Sequence, residues 1–179
     1  MILLQPTNNN TINIALTGKM RSGKDTVAKQ LIKAFEDDNN TRVVMFGFGD
    51  ALKEYAQELF PNKFANGQKP RYLYQWFGQT MRIQDEDIWV RMAADNINHS
   101  KSFSSLFKNV INVITDLRQP NEYQFCKDNN FIIVKVECDD AVRFERMKAI
   151  NDKFDITDLT HETESYIDTF EADYTITTT

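Results

Sequence analysis

The chain has 179 residues, of which 41% are hydrophobic and 26% charged, and its net charge is −5 at neutral pH. This composition is typical of a globular domain and excludes a disordered chain. The acidic balance argues against binding to nucleic acid polymers or anionic membranes, because both require a basic surface. The charge is unevenly distributed, since residues 137–179 carry −8 and residues 1–136 therefore carry +3. We therefore expect an anionic ligand to bind the first three quarters of the chain.

Targeting and metal-binding signals are missing from the sequence. We expect no signal peptide, because the N-terminus lacks a basic region and its apolar stretch is too short, and no apolar run approaches the ~20 residues that a membrane span needs. The two cysteines, Cys126 and Cys138, form no Cys-x-x-Cys pair, and there are only two histidines. This pattern excludes a disulfide scaffold, a zinc ribbon and a histidine-rich metal site. We expect a cytoplasmic protein with free thiols.

Short apolar segments alternate with helical patterns along the chain. The predicted strands cover residues 12–17, 42–48, 110–115, 131–136 and 174–179. The predicted helices cover residues 25–37, 50–60, 71–81, 85–99, 120–129, 139–149 and 165–171. Uniformly apolar strands between helices indicate a parallel sheet covered on both faces. We predict a single domain over 1–179 with a three-layer α/β/α fold and a five-stranded parallel sheet, in which ligands bind beyond the carboxyl ends of the strands.

A glycine-containing loop follows the first predicted strand and opens the first helix. Its sequence, GKMRSGKDT over residues 18–26, allows backbone N–H groups to surround phosphate oxygens. The helix N-terminus adds its dipole, and Lys24 can reach the β- and γ-phosphates. A chance glycine turn with a solvated lysine is the alternative. The candidate phosphate-binding residues are Gly18, Lys19, Arg21, Ser22, Gly23, Lys24, Asp25 and Thr26.

The residue after Lys24 is Asp25, where phosphate loops usually carry a Ser or Thr that ligates magnesium. Either Asp25 faces metal-bound water, or it points away and Thr26 supplies the hydroxyl. The guanine-reading Asn-Lys-x-Asp motif of GTPases is absent from a suitable position. The size of the chain fits a small kinase.

Charged residues also follow the second and third predicted strands. Asp50 and Lys53 could orient an acceptor hydroxyl or phosphate, although Asp50 could equally be an N-cap. Asp116 closes an apolar strand beside the phosphate loop, where it could hold magnesium-bound water, with helix capping as the alternative. Arg118 can bind a phosphate through its planar guanidinium.

Two further regions contribute candidate residues. In the helical region over about 50–100, Arg82 could pair with a monophosphate and Trp76 or Trp89 could stack on a base, although aromatic residues at helical spacing more often pack in a core. Arg143 and Arg146 share one face of a later helix. They begin a predicted lid over about 143–162 that would neutralise charge developing during phosphoryl transfer. A solvated Arg/Glu face is the alternative.

Five segments together resemble the deoxynucleoside monophosphate kinases of bacteriophages and some bacteria. They are GKMRSGKDTVA at 18–28, FGDALK at 48–53, QWFGQTMR with DEDIWV within 75–90, ITDLRQPNE at 114–122 and HETE at 161–164. Dephospho-coenzyme A kinases and animal-type phosphomevalonate kinases are similar relatives. Such kinases usually continue beyond the fifth strand into a loop near the adenine and a final helix. This sequence ends at Thr179, so we expect an open or differently built adenine pocket.

The resemblance implies a P-loop kinase that transfers the ATP γ-phosphoryl group, with Mg²⁺, to a (deoxy)nucleoside monophosphate. The alternatives are one of the two related kinases and a non-catalytic nucleotide-binding module. Residues 18–26 and Arg143 would bind ATP, and Thr26 and Asp116 would hold magnesium through bound water. Lys24, Arg118 and Arg146 would be catalytic. The acceptor would contact Asp50, Lys53, Gln75, Arg82, Trp89 and Arg118. The sequence leaves the accepted base, the sugar and the oligomeric state open.

Overall fold

The computed structural model describes residues 1–5, 10–67, 70–104, 106–149 and 165–179. Its strands are β1 (Asn10–Thr17), β2 (Thr41–Phe46), β3 (Asn109–Leu117), β4 (Ile132–Cys138) and β5 (Tyr174–Thr178). Its α-helices are α1 (Lys24–Ala34), α2 (Asp50–Leu59), α3 (Arg71–Gln84), α4 (Ile88–Ser104), α5 (Pro120–Asp128) and α6 (Asp140–Ala149). Two 3₁₀ segments cover Pro61–Gly67 and Ile167–Thr169.

All five strands run parallel in one sheet, in the order β2-β3-β1-β4-β5. Strand β1 therefore lies at the centre, between β3 and β4. The connections between neighbouring parallel strands pass through helices, as parallel pairing requires. The predicted α/β fold with a five-stranded parallel sheet is confirmed.

Side chains that alternate along the strands fill two cores, one on each face of the sheet. Ala15 packs on one face with residues of α4 and α5, including Ile97 and Phe125. The next residue, Leu16, packs on the other face with Ala28 of α1. Successive residues of a strand point to opposite faces, so a strand that is apolar throughout must be covered twice. This explains why the strands lack the alternation of polar and apolar residues.

The predicted helical segment over residues 165–171 is helical only in part. Ser165 is α-helical, and a 3₁₀ turn covers Ile167–Thr169. Phe170 takes an extended conformation and is 8% exposed, so the chain leaves the helical path to pack this ring against Tyr123. Residues 150–164, which hold most of the predicted lid and the segment at 161–164, lie outside the described residues.

Helices α2, α3 and α4 form a third apolar cluster beyond the sheet. Trp89 is 2% exposed in this cluster, and its indole N–H donates to the carbonyl of Gly78 at 3.2 Å. A β-carbon at Gly78 would lie 2.5 Å from Leu52 Cδ1, so the glycine lets α2 approach α3 closely. Trp89 thus fastens α4 to the backbone of α3.

Replacing Trp89 with Phe should destabilise the protein by about 1–3 kcal/mol, because the substitution leaves a small cavity and removes the donor to the buried Gly78 carbonyl. The matched control is Trp76→Phe on α3, since Trp76 is 46% exposed. Urea unfolding followed by circular dichroism measures both variants. Equal stabilities for the two variants would contradict this assignment of Trp89 to the core.

Candidate active site

The loop between β1 and α1 lies closely against the end of β4. Gly18 has φ 146°, and a β-carbon there would be 2.2 Å from the carbonyl oxygen of Val136. Gly23 has φ 99° and is the N-cap residue of α1. Positive φ values and such a close approach to backbone both require glycine. The two glycines therefore allow the tight loop that the sequence predicts.

Lys24 is the first residue of α1 and is 7% exposed. Its ammonium group donates to the carbonyls of Gly18 at 2.5 Å and Lys19 at 3.0 Å. These bonds hold a positive charge inside the loop, beside a helix N-terminus that also favours anions. The loop therefore combines the features of a phosphate-binding site.

Asp116, near the end of β3, is fixed by the backbone that follows β2. Its two carboxylate oxygens accept hydrogen bonds from the N–H groups of Phe48 at 2.8 Å and Gly49 at 3.0 Å. A β-carbon on Gly47 would lie 2.9 Å from Asp116 Oδ2, so the turn can close over the carboxylate only without a side chain there. Asp116 therefore fills part of the capping role that was the alternative to a magnesium site, because it accepts two backbone N–H groups just before α2.

Lys53 lies one turn into α2 and donates to Asp50 Oδ1 at 2.9 Å. Burial disfavours the charged form of Lys53, but the hydrogen bond to Asp50 and the charge of Asp116 outweigh it and raise the pKa of the lysine. Lys53 therefore remains a cation at neutral pH. Asp50 itself is the first residue of α2, after the N-cap Gly49.

Glu122 is the most buried carboxylate near the site, with 3% of the residue exposed. It accepts the N–H groups of Arg118 and Gln119, each at 2.9 Å, and its other oxygen lies 3.7 Å from Arg82 Nη2. Burial, followed by the charge of Asp116, raises the pKa of Glu122 to about 7. The hydrogen bonds from the Arg118 and Gln119 N–H groups and the charge of Arg82 favour a lower pKa, but they offset the rise only in part.

The two arginines of α6 reach the phosphate loop through its carbonyl groups. Arg143 is 7% exposed and donates from Nε to the Met20 carbonyl at 2.9 Å. Arg146 donates from Nη1 to the Arg21 carbonyl at 3.1 Å and to Thr178 Oγ1 at 3.1 Å. The guanidinium groups therefore tie α6 to the loop backbone.

A cavity of about 550 Å³ lies at the carboxyl ends of the strands. It brings together nine of the candidate residues that the sequence singles out. The residues lining it are Met20, Arg21, Gly23, Lys24, Asp25, Thr26, Lys53, Thr115, Asp116, Arg118 and Arg146.

The remaining predicted site residues lie elsewhere. Gly18, Lys19, Ser22 and Arg143 line a second, smaller cavity of about 200 Å³. Lys19 there forms an ion pair with Asp168 at 3.0 Å, which lowers the pKa of that carboxyl. Asp50, Gln75, Arg82 and Trp89 line neither cavity. Gln75 and Arg82 are partly exposed on α3, whereas Trp89 is in the core.

Two residues at the site were not anticipated from the sequence. Glu122 could have been found, because Gln119 and Glu122 have the spacing of a capping box and the structure confirms that box. Thr178 carries no such signal. Its hydroxyl donates to the Ser22 carbonyl at 2.7 Å, a contact between residues 156 positions apart.

The parallel sheet, the glycine loop and the lysine at the start of α1 define an α/β protein with a P-loop kinase-like fold. A model of the AAA domain family matches residues 14–164. The chain therefore belongs to the AAA domain family. Among curated proteins, none is similar enough in sequence to count as a match.

Solved structures with similar folds include TT1252 from Thermus thermophilus, with a TM-score of 0.57 and 18% identity over 96% of this chain and 90% of that one. Shikimate kinase from Bacteroides thetaiotaomicron has a TM-score of 0.48 and 18% identity over 93% of this chain and 86% of that one. The similarity to TT1252 concerns the fold alone.

In the part of the chain that the structure describes, no helix has the length and apolar character needed to cross a membrane. Within the same residues, no three or more His, Cys, Asp or Glu side chains cluster as a metal site.

Glu122 should make the stability of the protein depend on pH. Its pKa is about 7 in the folded state and 4.5 ordinarily, so the folded state holds the proton more tightly. The resulting stabilisation is present below about pH 4.5 and is lost as the pH rises through 7, by roughly 3 kcal/mol at most. Asp116 and Arg82 are the charged groups that face it.

The variant Glu122→Gln lacks this titration. Relative to the wild type, its free energy of unfolding should therefore rise between pH 5 and pH 8. Urea unfolding at several pH values measures the difference, with Asp128→Asn, a partly exposed carboxylate at the end of α5, as the control. A difference that stays constant with pH would contradict the raised pKa.

Proposed function

We propose that the protein transfers the γ-phosphoryl group of ATP to a (deoxy)nucleoside monophosphate, giving the diphosphate and ADP. The observation that carries this proposal is the shared cavity at the strand ends. It joins the phosphate loop, including Lys24, to Asp116 and Arg118 after β3 and to Lys53 on α2. A donor phosphate and an acceptor phosphate could therefore meet within one space, as in-line transfer requires.

On the donor side, the loop over residues 18–26 would hold the ATP phosphates through its N–H groups. Lys24 would move from the Gly18 and Lys19 carbonyls to phosphate oxygens, since both are acceptors within its reach. Arg146 lines the same cavity and would add positive charge as the phosphoryl group moves. Arg143 would support the loop through the Met20 carbonyl.

The residues present fit a magnesium ion that is bound mainly by ATP and water. Thr26 offers a hydroxyl, and Asp116 offers a carboxylate held in place by two N–H groups, in the same cavity. When bound, Mg²⁺ would neutralise charge on the ATP phosphates. Asp25 also lines the cavity and could face metal-bound water.

On the acceptor side, Arg118 and Lys53 would bind the monophosphate, with Arg82 close to the loop that carries Arg118. A phosphate oxygen is already an anionic nucleophile, so this reaction needs no strong general base. The chain's own residues would align the reactants and neutralise their charge. The alternative acceptors are dephospho-coenzyme A and phosphomevalonate. The other alternative is a protein that binds nucleotide without catalysis.

A coupled assay of ADP release with ATP, Mg²⁺ and a panel of ribo- and deoxynucleoside monophosphates tests the proposal. The panel also includes dephospho-coenzyme A, phosphomevalonate and shikimate. We expect turnover that depends on a nucleoside monophosphate. Turnover with another acceptor, ATP hydrolysis without an acceptor, or ATP binding without turnover would each contradict it.

Replacing Lys24 with Ala should lower kcat/KM by about 100-fold or more, because it removes a cation from the transferring phosphates. Lys29→Ala is the matched control, since Lys29 is an exposed lysine on the same helix. The coupled assay measures both variants. Full activity in Lys24→Ala would show that the phosphate loop is not the donor site.

A further inference from the structure

We infer that Glu122 is a positioning residue that holds the two acceptor-binding arginines, Arg82 and Arg118, in one subsite. This inference rests on the proposed function, because it assigns those arginines to the acceptor phosphate. Glu122 would make no contact with the substrate and would act through its neighbours.

The two oxygens of Glu122 have different partners. Oε2 accepts both the Arg118 N–H and the Gln119 N–H at 2.9 Å. Oε1 lies 3.7 Å from Arg82 Nη2, an ion pair that is longer than a hydrogen bond. One carboxylate thus connects the backbone after β3 with the last turn of α3, where Arg82 lies.

Helix capping alone does not explain a charged residue at this position. A capping box needs an acceptor for the N-cap N–H group, and a neutral Gln supplies one as well as Glu does. A carboxylate that is almost fully buried is costly unless a cation compensates it. Asp116 increases that cost, which is visible in the raised pKa of Glu122. Arg82 is the cation that faces Glu122, and it supports the charged form of Glu122 together with the two backbone N–H groups.

The neighbouring residue strengthens the same connection. Asn121 donates from Nδ2 to the Glu86 carbonyl at 2.9 Å and to Asp87 Oδ1 at 3.0 Å. Glu86 and Asp87 lie in the turn between α3 and α4. The start of α5 is thus bound to the end of α3 at two successive residues, which limits the movement of Arg82 relative to Arg118.

This arrangement fits a phosphate monoester as the acceptor group. Two guanidinium groups that bind one phosphate repel each other, and a nearby carboxylate offsets part of that repulsion. A dianionic phosphate that binds both arginines completes the charge balance. Without Glu122, Arg82 would lose the partner that keeps it near the Arg118 loop.

The variant Glu122→Gln separates positioning from capping. Its amide oxygen can accept both backbone N–H groups in place of Oε2, whereas its amide nitrogen, itself a donor, would face Arg82. We expect the KM for the nucleoside monophosphate to rise about tenfold, the equivalent of one lost charge-assisted interaction. The KM for ATP and the midpoint of thermal unfolding at pH 8 should not worsen. Asp128→Asn, a partly exposed carboxylate at the end of α5, is the control and should change neither KM.

A double-mutant cycle tests whether Glu122 acts through Arg82. Arg82→Ala should raise the acceptor KM, and adding Glu122→Gln to it should have little further effect. Fully additive effects would overturn the inference. So would an unchanged acceptor KM in Glu122→Gln, or an equal loss for ATP and acceptor together with a lower unfolding midpoint.

A binding experiment tests the role of Glu122 without requiring that the protein turn over a nucleoside monophosphate. Inorganic phosphate is titrated into the protein while the Nε–Hε signals of Arg82 and Arg118 are followed by NMR. We expect both signals to shift in the wild type and the Arg82 response to be lost in Glu122→Gln. If no nucleoside monophosphate is turned over, the proposed function fails, and this titration still decides the inference. Phosphate that shifts neither arginine signal in the wild type, or both equally in the variant, would overturn it.

Discussion

The central place of β1 in the sheet is the constraint on which the site depends. Because β1 pairs with β3 on one side and β4 on the other, the loop that follows it lies between the ends of those strands. On the β4 side, the backbone at Gly18 meets the Val136 carbonyl so closely that no side chain would fit. On the β3 side, Asp116 and Arg118 enter the cavity that the loop lines. A different strand order would separate the phosphate loop from these residues.

The loop is held from several directions by groups that bind its carbonyls. Lys24, Arg143 and Arg146 donate to the carbonyls of residues 18–21, and the Thr178 hydroxyl donates to that of Ser22. With its carbonyls occupied in this way, the loop is fixed in a conformation suited to anions. The cations that hold it also place positive charge around the cavity. Structural support and positive charge at the cavity thus come from the same side chains.

Two carboxylates organise the backbone that follows β2 and β3, of which Asp116 is half-buried and Glu122 is almost fully buried. Asp116 is held by the backbone before α2, and Glu122 holds the backbone before α5. Both carboxylates accept hydrogen bonds from N–H groups, which offset the cost of removing their charge from water. Their proximity to each other is nevertheless unfavourable, and it contributes to the raised pKa of Glu122. Such electrostatic strain is common at functional sites.

The sequence by itself determined the parallel sheet and the phosphate loop, because both depend on local patterns. Apolar segments of strand length identify β1 to β5, and the glycines with Lys24 identify the loop from residue types and spacing alone. Ends of elements were less predictable. Over 165–171 the helical path ends before Phe170, because packing of Phe170 outweighs local helical preference.

Only the tertiary structure decided which candidates share the cavity. Trp89 and Arg82 both carry a polar group at the end of the side chain and belong to the same helical region. Packing buries Trp89 in the core, whereas Arg82 lies beside Glu122. Arg143 and Arg146 are three residues apart, yet only Arg146 lines the main cavity. The contact of Thr178 with Ser22 spans nearly the whole chain. These outcomes depend on distances between elements, which no local pattern of residues contains.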